Sequence, residues 1–345
     1  MSIARTEAET RVVHRGSFAL ESVPRPVRLV AIGGGTGLPT VLQGLRRVRR
    51  RLGHSVALEI TAVVAVGDDG GSSGRLRKEY GVLPPGDLRR CLVALSEAEA
   101  DPLTRLFQYR FSAGRELAGH AMGNLVLAAL AEMEGDFLAG IRRAEKLLGC
   151  AGRVYPATLE RIELVGLCED GSRVVGQHRF NEPREKRLRR IETVPSAPEA
   201  TPGVIEAILE ADAVIMGPGS LYSSVIANLL VGGVADALRR RKGRRILIQN
   251  LACQPGESRG MNAAAHVEAV LTHAGEVVDV LLVDSRANFT ARDGEDRVPC
   301  NPDDVLSLGV QPVVADLSAP AGRLAHDPEK TALAIVALAM SALEA

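Results

Sequence analysis

Four times along the chain a short apolar run breaks off into a loop of glycine, serine, aspartate or asparagine, after Ile32, Val66, Met216 and Gln249. This recurrence constrains the fold more than any other feature. Val27-Arg28-Leu29-Val30-Ala31-Ile32 is short enough for a buried strand, and Gly33-Gly34-Gly35-Thr36-Gly37 follows it directly. From Leu38 the spacing turns helical, with Leu38, Val41, Leu42 and Leu45 on one face. Arginines fill the last turns and Gly53 stands just beyond, as expected where cations meet the negative end of a helix dipole and glycine supplies a left-handed stop. Residues 57–66, rich in Val and Ile, read as the next strand. Strand, loop, helix, strand is the βαβ unit of a parallel sheet.

The same alternation returns later. A helix is expected to open at Pro102, with others at 124–133, 136–148, 202–210 and 262–273 and near the C-terminus, and strands are expected at 213–216, 246–249, 277–283 and 312–315. Asp101-Pro102, Thr201-Pro202 and Asp327-Pro328 each set a capping side chain before a proline suited to the first helical position. Pro84-Pro85-Gly86-Asp87 reads as a turn that delivers Asp87 as a cap. Between 153 and 195 the pattern changes: residues 161–167 and 174–180 flank Glu169-Asp170-Gly171-Ser172, the signature of a hairpin. The expected architecture is α/β, a doubly wound, mostly parallel Rossmann-like sheet over residues 27–345 with a small antiparallel hairpin insertion at about 153–195. Residues 1–26, polar and without period, read as a loosely ordered tail.

Composition narrows the function classes. The chain balances 42 Lys and Arg against 42 Asp and Glu, so no net field recruits nucleic acid or an anionic membrane. The runs Arg46–Arg51 and Arg239–Arg245 close expected helices, where cations are favoured in any case. With 3% aromatic residues and no Trp, no stacking platform accompanies them, and they read as solvated faces. The five cysteines (Cys91, Cys150, Cys168, Cys253, Cys300) form no Cys-x-x-Cys pair, which fits a reducing compartment and argues against a zinc site. Residues 331–340, the longest apolar stretch, reach about half the length of a membrane span.

In open α/β sheets, ligands bind beyond the carboxyl ends of the strands. Glycines there let a phosphate approach the backbone, and the next helix offers free N–H groups. Gly33, Gly34, Gly35, Thr36 and Gly37 are therefore candidates for phosphate or nucleotide contact, against the alternative of a tight packing turn. The loop is not the strict dinucleotide fingerprint, because Leu38 stands where its last glycine belongs, and no Lys-Ser/Thr pair makes it a Walker loop. Asp68 and Asp69 close the second strand, where an acid can bond a ribose hydroxyl. With Ser72 and Ser73 they could equally hold Mg²⁺ through Asp68, or be a turn. Gly217, Pro218, Gly219, Ser220, Leu221 and Tyr222 form another backbone-exposing loop. His120 and Asn124 flank a helix start as ligands or, in the favoured reading, as caps. Asn250 and Gln254 lie on the fourth loop.

Taken together, the loops carry a resemblance. Ile32-Gly33-Gly34-Gly35-Thr36-Gly37-Leu38, Gly67-Asp68-Asp69-Gly70-Gly71-Ser72-Ser73-Gly74, Pro84-Pro85-Gly86-Asp87-Leu88-Arg89, Gly119-His120-Ala121-Met122-Gly123-Asn124, Gly217-Pro218-Gly219-Ser220-Leu221-Tyr222-Ser223-Ser224 and Gln254-Pro255-Gly256-Glu257 resemble the gluconeogenesis factor family, in order over about residues 28–340. More distantly the chain is similar to 2-phospho-L-lactate transferase, a metal-dependent enzyme of the deazaflavin cofactor pathway. The resemblance implies a cytoplasmic homo-oligomer that binds UDP-sugars such as UDP-N-acetylglucosamine. It implies a role in peptidoglycan synthesis and cell shape during gluconeogenic growth, exerted through a regulatory partner protein in amino-sugar synthesis. It also leaves two alternatives, a Mg²⁺-dependent transferase and an NAD-binding oxidoreductase. Three residues depart from the family pattern: Arg90 where Asn is usual, Cys253 where Thr is frequent, and Gly232 where Pro is common. They bear on ligand preference around the fourth loop.

Overall fold

The computed structural model describes residues 11–12, 25–53, 55–180, 182, 187–286, 297–320 and 324–343. From the N-terminus, β1 (Arg11–Val12) and β2 (Val27–Gly33) lead into α1 (Gly37–Leu52) and β3 (Leu58–Val64). Five helices follow, α2 (Gly71–Tyr80), α3 (Pro85–Leu95), α4 (Pro102–Gln108), α5 (Met122–Glu134) and α6 (Phe137–Leu147), before β4 (Gly152–Pro156). Next come β5 (Glu163–Cys168), β6 (Arg173–Val175), α7 (Gln177–Phe180), β7 (Leu188–Val194), α8 (Val204–Glu210) and β8 (Ala213–Met216). A π-helical turn (Leu221–Ile226) runs into α9 (Ala227–Leu229), then α10 (Val234–Arg240), β9 (Arg244–Ile248), α11 (Ala263–Ala274), β10 (Val280–Asp284), α12 (Pro302–Ser307), β11 (Gln311–Ala315) and α13 (Pro328–Ser341).

The main sheet has the order β1-β11-β10-β9-β8-β2-β3-β4, and every neighbouring pair is parallel. The chain winds outward from β2 through β3 to β4 on one side and from β8 through β9 and β10 to β11 on the other. Strand order therefore reverses between β2 and β8. Alternation along β2 shows why helices cover both faces. Leu29 and Ala31 pack with Leu38, Leu42 and Leu45 of α1 and with α3 and α13, whereas Val30 and Ile32 pack with α8, α11 and the π-helical turn.

The antiparallel sheet β6-β5-β7 lies over that second face, with Leu164, Phe180, Leu188 and Ile191 in its core. The expected hairpin is shorter than its sequence suggests. Its second strand stops at Val175, because Gly176 turns to φ +93°, and residues 177–180 coil into α7 with Phe180 fully buried. Residues 152–156 pair in register with β3, so the start of the segment that reads as an insertion extends the main sheet.

Three local expectations also change. Asp101 and Asp327 cap α4 and α13, but the cap position of α8 is Gly203, and the buried Thr201 hydroxyl has no partner among the described residues. Asp87 lies inside the first turn of α3, behind Pro84 and Pro85, and does not cap that helix. The arginine runs are only partly solvated. Arg46 and Arg241 are buried, and Arg241 donates to the carbonyls of Ile208, Ala211 and Arg244, which tie α8 and β9 together. Arg47, Arg49 and Arg51 instead form surface ion pairs with Glu99, Glu97 and Glu329. Most of residues 1–26 lies outside the described residues; Arg11–Val12 pair with Val313 and Val314. Among the described residues no single helix is long and apolar enough to cross a membrane.

Candidate functional site

Because β2, β3, β8 and β9 are parallel, their four loops emerge at one edge of the sheet, and the first and third flank the reversal of strand order. The first loop is shaped from both sides. Gly35 adopts φ +62°, its N–H donates to Asp87 Oδ2 at 2.5 Å, and its carbonyl accepts from Arg90 Nε at 3.0 Å. Arg90 also pairs with Asp87. Gly37 lies hard against the third loop, where a Cβ would stand 2.1 Å from the Pro218 carbonyl oxygen. No side chain caps α1 at Thr36. The positive end of this 16-residue helix is left open toward the crevice.

The third and fourth loops are joined by a reciprocal amide clasp. Gly219 N donates to Asn250 Oδ1 at 3.0 Å, and Asn250 Nδ2 donates to the Gly219 carbonyl at 2.7 Å. Gln254 Nε2 reaches Ser220 Oγ at 2.8 Å. Glu257, buried on the same loop, accepts from Tyr222 N at 2.9 Å and Ser223 N at 3.2 Å, and also from the Ser223 hydroxyl. A carboxylate thus sits on the opening N–H groups of the π-helical turn and fixes its start. Leu221 and Tyr222 point away from the crevice. Leu221 is core, and the Tyr222 hydroxyl donates to the Leu188 carbonyl of β7 at 3.0 Å, its pKa pushed up to about 12 by burial and then by Glu257.

The second loop divides its candidates. Asp68 Oδ1 accepts from Gly70 N at 3.1 Å, and its other oxygen faces Gly86 and Ser73 at the start of α3. Burial raises the Asp68 carboxyl above its ordinary pKa, the Asp87 charge adds to this, and the Gly70 N–H and Ser73 hydroxyl oppose it. Asp69 turns the other way and accepts from His178 N of α7 at 2.7 Å. Ser72 and Ser73 belong to α2, which the glycine-rich sequence disguises as loop. Ser73 Oγ accepts from Gly86 N at 3.2 Å. Ser72 Oγ sits 2.9 Å from His120 Nδ1 and accepts from Asn124 Nδ2 at 3.0 Å, all three buried. His120 and Asn124 therefore do not cap α5, whose cap position is Ala121, without a side-chain bond.

A cleft of about 390 Å³ opens over the first, third and fourth loops, with Thr36, Gly37, Pro218, Gly219, Asn250 and Gln254 in its wall. Its far side is His326, whose pKa burial lowers to about 4. The residues suit a phosphate-bearing ligand. Gly37 and Gly219 bring main chain to the cleft wall, and the end of α1 faces the cleft. For Mg²⁺, Asp68 with Ser73 and the neighbouring Asp87 supplies the hard oxygens that ion takes. The described residues contain no group of three or more His, Cys, Asp or Glu side chains able to hold a metal, so a metal held here would lean on ligand phosphates as well. For a dinucleotide the fit is poorer, since the fully buried Leu38 fills the position of the third fingerprint glycine. Sequence reasoning missed the working partners Asp87, Glu257 and His326. Asp87 and Glu257 lie within the motifs quoted above, but their roles depend on contacts far along the chain.

The family model for 2-phospho-L-lactate transferase CofD matches residues 29–318. The gluconeogenesis factor of Halalkalibacterium halodurans is 43% identical over 256 residues, covering 74% of this chain and 76% of that protein. The gluconeogenesis factor of Listeria innocua is 35% identical over 317 residues, covering 90% and 95%. A crystal structure of a Bacillus halodurans protein superposes with a TM-score of 0.82 at 37% identity, over 90% of this chain and all of that one. With matches of this identity over most of its length, the chain belongs to the gluconeogenesis factor family, within the wider group that the CofD model describes.

Proposed function

We propose that the crevice binds a nucleotide sugar of the UDP-N-acetylglucosamine type and that the protein acts in the cytoplasm as a regulator that couples carbon supply to cell-wall precursor synthesis and cell shape. The observation that carries this reading is the uncapped N-terminus of α1 at the reversal of strand order, facing a cleft that the clasped pair Gly219 and Asn250 also walls. That end of a helix favours a diphosphate, and the crevice lies where open α/β sheets hold nucleotides. Gly35 to Gly37, Pro218 to Ser220, Asn250 and Gln254 form the contact set in this reading, with Gly33 and Gly34 buried behind them and Asp68 at the edge for a ribose hydroxyl or a phosphate-bound Mg²⁺.

A second reading, a metal-dependent transferase, draws on Asp68 beside Asp87 and on the CofD match. Calorimetry against UDP-N-acetylglucosamine, UDP-glucose and NAD, each with and without Mg²⁺, followed by product analysis, separates the readings. The expected result is saturable UDP-sugar binding, tighter than NAD and without turnover. Tighter binding of NAD than of every UDP-sugar overturns the proposal, and Mg²⁺-dependent product formation moves it to the transferase.

A further inference from the structure

On the α3 side of α1 lies a second cleft, of about 410 Å³, walled by Thr36, Thr40, Arg89, Arg90, Glu99 and Gln108. It shares only Thr36 and Thr40 with the crevice described above, so the first turn of α1 stands between the two. Arg89 is its unusual member. The residue is 6% exposed, and its stem lies against Gly123 of α5. Nη1 donates to the Phe107 carbonyl at 3.2 Å, and the buried Nε has no partner. A guanidinium offers five donors in a fixed fork, and among the described residues no carboxylate bonds this one.

The charges around it do not balance either. Arg90 and Arg110 are close enough to disfavour the Arg89 charge. Asp87, the acid that favours it, is already held by Gly35 N and by Arg90. Glu99, across the cleft, is gripped by Arg46, Arg47 and Gln43. A buried cation without a counter-charge is strongly unfavourable, and an anion that enters the cleft relieves it. Two guanidinium groups beside the open end of a helix match a group with two charges and several acceptor oxygens better than a single carboxylate.

We infer that this cleft is a phosphate site separate from the nucleotide crevice, in which Arg89 is the buried anchor and Arg90 the rim contact for the phosphate group of a small phosphorylated metabolite. The same phosphate chemistry could be supplied by the diphosphate of a nucleotide reaching across α1, and the test distinguishes the two sources.

Thermal unfolding of the full chain is followed in inorganic phosphate and in chloride at matched ionic strength, for the parent, Arg89→Gln and Arg90→Gln, with and without saturating UDP-N-acetylglucosamine. A ligand of the folded state raises the midpoint in step with its concentration. Phosphate, and not chloride, is expected to raise the parent's midpoint. Both variants are expected to need about tenfold more phosphate for the same rise, the loss of one charge-assisted hydrogen bond. In the parent the rise persists when the nucleotide crevice is filled. Absence of a phosphate-specific rise overturns the inference, as does its full retention in either variant; should Arg89→Gln fail to fold, Arg90→Gln decides alone. Disappearance of the rise under saturating UDP-N-acetylglucosamine also overturns it and assigns the phosphate to the nucleotide's own diphosphate position. The arm without nucleotide reads the site even if no UDP-sugar binds.

Discussion

Replacing Gly37 by alanine tests whether close approach of the first and third loops builds the crevice. The added Cβ would stand 2.1 Å from the Pro218 carbonyl oxygen and 2.6 Å from its carbon, against an ordinary contact distance of 3.4 Å or more. Both partners are backbone, so no side chain can swing aside, and the loops must part by more than 1 Å. Overpacking of this kind costs about 1–3 kcal/mol, offset by about 0.5–1 kcal/mol from the lost flexibility of glycine in the unfolded chain. The net expectation is a loss of about 1–2 kcal/mol in a urea titration. A second effect falls on ligand binding, because a displaced Gly219 carries Asn250 with it through their reciprocal bonds. UDP-N-acetylglucosamine affinity by calorimetry is expected to fall about tenfold or more, as one good hydrogen bond is misplaced. Gly152→Ala is the control. Its Cβ would meet the Ile60 carbonyl at 2.3 Å, at the end of the strands opposite the crevice, and it should cost comparable stability with affinity unchanged. Parental affinity in folded Gly37→Ala would refute the reasoning, and so would an equal loss of affinity in both variants.

Asp68→Ala is expected to weaken UDP-sugar binding by about 1–3 kcal/mol, the worth of a charge-assisted hydrogen bond; if chelator removes the same increment from the parent and nothing more from the variant, the carboxylate acts through Mg²⁺, and unchanged affinity in both conditions reduces it to a turn residue. His326 stays neutral in the folded protein down to about pH 4 because burial disfavours its charge, while the unfolded chain takes up the proton near 6.5. Its contribution is therefore fully present above pH 6.5 and is lost as pH falls toward 4, by about 3 kcal/mol; urea titrations from pH 8 to 4.5 should show the decline, and His326→Gln should flatten part of it, with buried His266 and half-buried His273 supplying the rest. Glu257→Ala leaves the Tyr222 and Ser223 N–H groups without their acceptor and is expected to destabilise by about 2–3 kcal/mol in the same assay; a loss under 0.5 kcal/mol would mean that another group, or water, already serves them.

The sheet was legible wherever one period dominates. Val27 to Ile32 and Ala213 to Met216 are short, apolar and followed by glycine, and helices such as α11, with Asn262 as its cap, announce both ends. What misled the reading was glycine used for packing instead of turning. Gly74 starts no loop; it lets α2 approach the Asp69 carbonyl, where a Cβ would stand at 2.0 Å, so a stretch of low helix propensity is helical. The loop residues of the site were nameable from strand ends, yet their partners were not. Asp87 lies 52 residues from Gly35, and Glu257 lies 34 from Ser223. Nothing local in sequence shows which carboxylate a distant N–H will find. Arg46 and Arg241 were hidden for the same reason, since a run of cations at a helix end looks alike whether its members face water or a buried carbonyl.

The small antiparallel sheet is fastened to the crevice at two points, His178 N on Asp69 and the Tyr222 hydroxyl on the Leu188 carbonyl, and to the layer behind it by Ile191 N on His273 at 3.0 Å. An excursion sewn in this way is no longer a free ornament of the sheet. Excising it would leave the second loop without the amide that orients Asp69 and uncover the apolar flank once covered by Leu164 and Phe180. Substitutions within it therefore reach the second loop through Asp69 and the third through Tyr222, while every glycine of the crevice stays in place.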